Sequence, residues 1–293
     1  GTMKIYQCFL HTVVIGFLAI MVAYGPASAQ KDVDEKLTAE ELVAKHLNSI
    51  GKAEERSALR SLMIIGDSKA TFFGRGGGIA EGLSVLASKG DKYMVAMKFN
   101  NSDYPFEKMG YDGSEFSVGF VRPGIRSNFG SFLRANEGTF KNGIMSGTLA
   151  TSWALLNVDP KNAKLKYGGT KKINGIRLHS LEYNPRKGSD LSIILFFEPD
   201  TYRHVRTEYK RVIAARQGAT VDTSAGQSET RYTMIEEFGE FREEGKLTFP
   251  HRYKIYLEIL SGNGTTSYEW LMNLQKFNLN SPIDDKDFKV DAY

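Results

Sequence analysis

Residues 253–274, YKIYLEILSGNGTTSYEWLMNL, contain two runs in which apolar and polar side chains alternate. A period of two is typical of strands that bury one face. The Gly262-Asn263-Gly264 segment between the runs is a turn signal, so the stretch predicts a long hairpin. If the register pairs the two strands, they carry adjoining apolar rows, formed by Tyr253, Ile255, Leu257 and Ile259 on one strand and Tyr268, Trp270, Met272 and Leu274 on the other.

The same alternation recurs upstream, which predicts an antiparallel sheet from Leu62 onward. An Asn174-Gly175 pair is the best short hairpin signal, because both residue types tolerate a positive φ. Leu191–Phe197 is apolar on both faces, as a central buried strand would be. The predicted inward-facing rows of the first half are Leu62, Ile64, Ala70 and Phe72, then Tyr93, Val95, Met97 and Phe99, then Phe116, Val118 and Phe120.

A single helix is expected before the sheet. Thr38 and Glu41 form a capping box, in which each side chain satisfies a free amide at the helix start. Gly51 ends the helix. His46 lies on its apolar face, where packing is favoured over a ligand role because no acid or second histidine stands at metal-binding spacing.

Residues 125–158, called the insert below, interrupt the alternating pattern after Arg122-Pro123-Gly124. They are Gly-rich yet apolar, and two stretches, Ser127–Asn136 and Thr148–Asn157, have short helical character. We expect the insert to cover the core of the sheet. Whether it is a fixed plug or a movable lid stays open.

The N-terminal residues predict an export signal. Lys4 precedes an apolar run from Phe9 to Tyr24, a Gly-Pro break and the triplet Ala27-Ser28-Ala29, which is the layout that signal peptidase recognises. The expected organisation is a signal peptide at 1–29, cleaved after Ala29, followed by one β domain at 30–293 in the periplasm. The alternative is a retained membrane anchor, although a span needs ~20 apolar residues and this run is shorter.

Composition excludes several classes of function. The formal net charge of +4 is too small to indicate nucleic-acid binding. The only cysteine, Cys8, lies in the predicted signal, so the mature chain has no disulfide and no cysteine nucleophile. The high aromatic content, with 18 Phe and 14 Tyr, favours a large core or an apolar cavity.

No motif predicts catalysis, a metal or another cofactor. Gly74–Gly78 lacks the Gly-Lys-Ser/Thr that ends a phosphate loop and is interpreted as a hairpin loop. No Gly-x-Ser-x-Gly elbow occurs. A zinc site assembled from distant strands remains an alternative for the dispersed histidines, and surface charge is the ordinary explanation for the acidic cluster. These residues are His46, His179, His204 and His251, and Glu236, Glu237, Glu240, Glu243 and Glu244.

The apolar rows exceed what the few predicted helices can cover, so a partly open apolar cavity is expected on the sheet. Trp270 is the first choice as a liner at its mouth, since an indole offers an apolar body and one donor. The residues predicted to line the cavity are Tyr93, Val95, Met97, Trp153, Tyr253, Ile255, Leu257, Tyr268, Trp270 and Met272.

The closing segment Lys276–Phe288, KFNLNSPIDDKDF, resembles the end of the LolA/LolB-like periplasmic outer-membrane lipoprotein-sorting proteins, in which an asparagine-rich strand exit leads to a polar turn and a phenylalanine. The helix from Thr38 to Gly51 and the stretch Phe197–Glu208 are similar to that family as well. The resemblance spans Thr38 to Val290.

This resemblance implies a mainly β fold, a curved antiparallel sheet forming a half-open barrel covered by a few helices. It also implies a monomeric carrier of lipid or lipoprotein acyl chains that has no cofactor and no catalysis. The main alternative is a periplasmic sensor or interaction module of the same fold, with a filled core and an envelope protein as partner. An enzyme is the third reading.

Overall fold

Antiparallel pairing between sequential neighbours builds almost the whole molecule. The computed structural model describes residues 37–74, 76–158, 163–185, 190–215 and 228–290. The predicted signal at 1–29 and most of the polar loop at 217–228 lie outside these residues. The strands are β1 (Ser61–Phe73), β2 (Gly78–Lys89), β3 (Lys92–Phe99), β4 (Phe106–Tyr111), β5 (Phe116–Val118), β6 (Ala163–Ile173), β7 (Ile176–Pro185), β8 (Ser192–Phe197), β9 (His204–Ile213), β10 (Thr230–Glu244), β11 (Leu247–Ser261) and β12 (Gly264–Leu279).

The strands form one twelve-stranded antiparallel sheet in the order β5-β4-β3-β2-β1-β12-β11-β10-β9-β8-β7-β6. Within the described residues no ladder joins β5 to β6, so the sheet is not closed. The predicted mainly β, half-open architecture is confirmed. This sheet is called the half-barrel below.

The hairpin of residues 253–274 has the register that its alternation predicts. Tyr253 pairs with Met272, Ile255 with Trp270, and Leu257 with Tyr268. Directly opposed residues share a face, so the two apolar rows do adjoin. The Asn174-Gly175 turn is confirmed too, with φ values of 49° and 86°.

Within the described residues, four α-helices accompany the sheet: α1 (Ala39–Ile50), α2 (Ala53–Ala58), α3 (Asn128–Ala135) and α4 (Glu137–Phe140). The capping box at Thr38 is present with both of its hydrogen bonds. In the insert, α3 confirms the first predicted helical stretch. The second prediction, Thr148–Asn157, is wrong, because that part contains only a 3-10 turn at Gly147–Leu149 followed by irregular turns.

Candidate functional site

The insert fills the half-barrel. Strands from both halves of the sheet reach it: the Tyr93 hydroxyl on β3 donates to the Phe140 carbonyl at 2.7 Å, and the Tyr209 hydroxyl on β9 lies 3.2 Å from the Ile144 carbonyl. By covering the apolar face of the sheet, the insert removes it from water, and this burial is the main source of the stability of the fold. The insert side chains packed in this core are Phe129, Phe132, Leu133, Phe140, Ile144, Met145, Leu149, Trp153 and Leu155.

The structure brings together the residues predicted to line the cavity, but the insert covers them. Eight of them lie on strands and are at most 1% exposed: Tyr93, Val95, Met97, Tyr253, Ile255, Leu257, Trp270 and Met272. Tyr268 is partly buried, and its hydroxyl accepts a hydrogen bond from Asn128 of α3. Trp153 belongs to the insert itself and is buried.

Glu107 anchors the start of the insert. Its carboxylate, on β4, accepts hydrogen bonds from the Ser127 hydroxyl at 2.7 Å and from the Tyr104 hydroxyl at 3.0 Å. Ser127 is also the N-cap of α3, where its oxygen accepts from the Gly130 amide. Burial raises the pKa of Glu107 to about 7, against the lowering effect of its two hydroxyl donors.

Glu236 anchors the middle of the insert. It is fully buried on β10 and accepts from the Ser146 amide at 2.8 Å, from the Tyr209 hydroxyl at 2.6 Å and from the Tyr253 hydroxyl. Burial raises the pKa of Glu236, while these three donors act to lower it. The same burial raises the pKa values of both tyrosines, so both are neutral donors.

His46 anchors the end of the insert. Its Nε2 accepts from the Trp153 indole N–H at 3.0 Å, while its Nδ1 donates to the Tyr202 carbonyl at 3.1 Å. Burial lowers the pKa of His46 to about 4, so the ring is neutral at physiological pH. The interpretation of His46 as a packing residue is consistent with these contacts.

A cavity of about 810 Å³ remains at one end of the half-barrel, between α1, α2 and the last part of the insert. Among the predicted liners, Trp153 is the one that contributes to it. Three basic side chains and one acidic side chain lie at this site, namely Arg56, Arg60, Lys141 and Asp91. Its apolar wall includes Leu47, Ile50, Leu156, Val158, Leu247 and Phe249.

Sequence reasoning missed both anchoring carboxylates. Glu236 was assigned to surface charge near a turn, yet that turn lies at Gly245-Lys246 and Glu236 is in mid-strand. The alternation Met234-x-Glu236-x-Phe238 was the available signal, because it places the carboxylate on the buried face. Glu107 had a shorter signal of the same kind, Glu107-x-Met109, because β4 is only six residues long.

Two further findings concern metals and membranes. Across the described ranges, no three His, Cys, Asp or Glu side chains are grouped so as to hold a metal ion. In the same residues, no helix combines the length and the apolar character that crossing a bilayer requires.

Several solved structures match the chain. A LolA superfamily protein from Nitrosomonas europaea has 12% identity and a TM-score of 0.44, over 87% of this chain and 98% of that one. An outer membrane lipoprotein-sorting protein domain from Vibrio parahaemolyticus has 14% identity and a TM-score of 0.41, covering 84% and 97%. A DUF1329 family protein from Desulfovibrio piger has 9% identity and a TM-score of 0.39, covering 86% and 97%. No family model and no curated protein matches the chain.

Proposed function

We propose that the protein is a periplasmic carrier that binds acylated or other amphiphilic molecules, without catalysis, in the cavity between α1, α2 and the insert. The cavity itself carries this proposal. Its volume of about 810 Å³ lies in the range of small-molecule sites. An apolar wall with charged side chains beside it suits an amphiphile better than a plain hydrocarbon. Export rests on the predicted signal at residues 1–29.

The buried strand residues form a second part of the proposed site, which a ligand reaches only when the insert moves. Two observations support a movable insert. The Thr139 hydroxyl oxygen is buried without a hydrogen-bond partner in the structure described, an energetic cost that departure of the insert would relieve. The cavity also borders the end of the insert, from Lys141 to Val158, so a ligand bound there touches the lid directly.

A filled-core interaction module is the second candidate. It is favoured by the near-complete burial of the eight strand residues beneath the insert. Such a protein would act through its outer surface on an envelope protein. The two candidates differ in what natively purified material contains, because a carrier retains lipid and a filled-core module does not.

Blocking the cavity tests the carrier proposal. Ala53 lines the cavity from α2, and Ala53→Trp places an indole there without changing the core. We expect this variant to bind an acyl-chain fluorescent probe several-fold more weakly than wild type, with an unchanged melting temperature. Titration of the probe against purified mature protein measures the effect.

Ala58→Trp is the matched control, because Ala58 is exposed at the other end of α2 and does not line the cavity. It should bind the probe as wild type does. If wild-type protein neither retains lipid by native mass spectrometry nor takes up the probe, the interaction module replaces the carrier.

A further inference from the structure

Two buried carboxyl groups hold the insert from opposite walls of the half-barrel. Glu107 on β4 binds its start through Ser127, and Glu236 on β10 binds its middle through the Ser146 amide. Five strands separate β4 from β10 in the sheet. The two contacts therefore clamp one segment between distant strands.

Among the residues that the structure describes, neither carboxyl has a cation beside it. The groups that bond Glu107 are the hydroxyls of Ser127 and Tyr104, and those that bond Glu236 are two tyrosine hydroxyls and one amide. A buried carboxylate without a positive partner is costly, so the ionised form is disfavoured while the insert is in place. Once the insert leaves, water can solvate the charge.

We propose that Glu107 and Glu236 form a proton-linked latch, in which the protonated carboxyls hold the insert inside the half-barrel and their ionisation favours its release. The latch depends on the insert and the two strands. It holds whether or not the cavity carries a ligand.

The direction of the pH dependence follows from the pKa shifts of the two carboxyl groups. Burial raises the pKa of Glu107 from its usual 4.5 to about 7, and it raises the pKa of Glu236 as well. The closed form therefore binds protons more tightly than an open form with solvated carboxyls. Its extra stability is complete below about pH 4.5 and is lost as the pH rises through about 7.

The fully buried tyrosines and histidines around the insert stay neutral in the closed form near neutral pH, while Arg211 donates to the Asn136 side chain of the insert from β9. Tyr104 faces Glu107, while Tyr209, Tyr253 and Tyr93 surround Glu236, and burial raises the pKa of each tyrosine. At the end of the insert, burial lowers the pKa values of His46 and His204. Opening would let these histidines take up protons, which opposes the latch, so the test must cancel their contribution.

Hydrogen exchange of the α3 amides, corrected for the intrinsic rate and compared with β11 amides in the same protein, measures insert opening. The comparison between wild type and variants is made from pH 6 to 8. Glu107→Gln keeps the side-chain shape and removes the titration. Relative to that variant, wild-type protection should fall about tenfold across this range, as expected from a closed-form pKa near 7. The histidines are common to both proteins and cancel.

Glu236→Gln should also reduce the fall of α3 protection with rising pH. Glu137→Gln, a partly exposed position in the same insert, is the control and should follow wild type. Wild-type protection that does not fall with pH relative to Glu107→Gln and Glu236→Gln overturns the latch. The latch is also overturned if the pH dependence of α3 protection is the same in both core variants as in wild type. It is likewise overturned if Glu137→Gln removes this pH dependence to the same extent as the core variants do.

Discussion

The indole of Trp270 is held by partners from three separate segments. It stacks on Phe129 of the insert with ring centroids 4.6 Å apart, and on Tyr268 of its own strand at 6.0 Å. Its N–H donates to the Tyr104 hydroxyl at 2.8 Å, and that hydroxyl donates to Glu107. One side chain thus couples aromatic packing to the buried carboxyl.

Trp270→Ala should lower the free energy of unfolding by ~3–5 kcal/mol, the range for losing a buried aromatic and leaving a cavity. Tyr268→Ala, on the same face but partly exposed, should cost clearly less. Urea denaturation of both variants compares the two losses. Equal losses would contradict the placement of Trp270 as the more deeply packed ring.

For single residues, the sequence predicts which side of the sheet a side chain lies on better than it predicts what surrounds that side chain. Alternation identified the inward side of β3, β11 and β12 correctly. It could not reveal that the insert, which is distant in sequence, occupies the space in front of those residues. Residue type was misleading at Glu236, because an acidic side chain in an acidic run suggests solvent unless its strand register is considered.

Among the elements, β2 shows where the sheet requires glycine. A Cβ atom at Gly82 would lie 1.8 Å from the Lys98 carbonyl oxygen of β3. At Gly78, on the same strand, no atom lies within 4 Å of that position. The close approach at Gly82 fixes how tightly β2 and β3 pack, since a backbone neighbour cannot rotate away as a side chain can.

Gly82→Ala should therefore destabilise the protein by ~1–3 kcal/mol or more, the cost of overpacking a close-packed site. Gly78→Ala should change the unfolding free energy by less than about 0.5 kcal/mol, as exposed substitutions usually do. Thermal denaturation of the two variants measures this difference in stability. A stable Gly82→Ala protein would mean that β2 and β3 are not so closely apposed.

The hairpins were predictable because their turn residues and their alternation agree. The end of the insert was not, because Thr148–Asn157 has helix-compatible composition but is shaped by tertiary contacts. Ser146 and Gly147, just before this stretch, both adopt positive φ, so no right-handed α-helix continues into it from the preceding residues. The hydrogen bond from Trp153 to His46 then fixes the following turn.

At the scale of the whole molecule, Asn280 joins the end of β12 to the segment just before β1. Its backbone has a φ of 57°. Its side-chain oxygen accepts from the Arg60 amide at 2.7 Å, and its nitrogen donates to the Ala58 carbonyl at 3.1 Å. This contact gives a physical reason for the asparagine-rich strand exit in the closing segment.

Asn280→Ala should cost about 2–3 kcal/mol, from two lost hydrogen bonds and a left-handed backbone that alanine tolerates poorly. Asn278→Ala, within β12 and outside the left-handed region, should cost less. Guanidinium denaturation of both variants is the measurement. A larger loss at Asn278 would show that Asn280 does not hold these two segments together.

The pairing of β1 with β12 also has a consequence for how the chain folds. Every other ladder joins strands that follow each other in sequence, whereas this one brings together segments such as Arg60 and Asn280, which are 220 residues apart. Strands β1–β5 and β6–β12 can each form as a local meander, but the seam between them must wait for the last strand to emerge. Closure over so long a loop is slow. A nascent chain that stops before β12 would therefore leave the edge of β1 unpaired. We expect a chaperone that assists folding to bind at this edge.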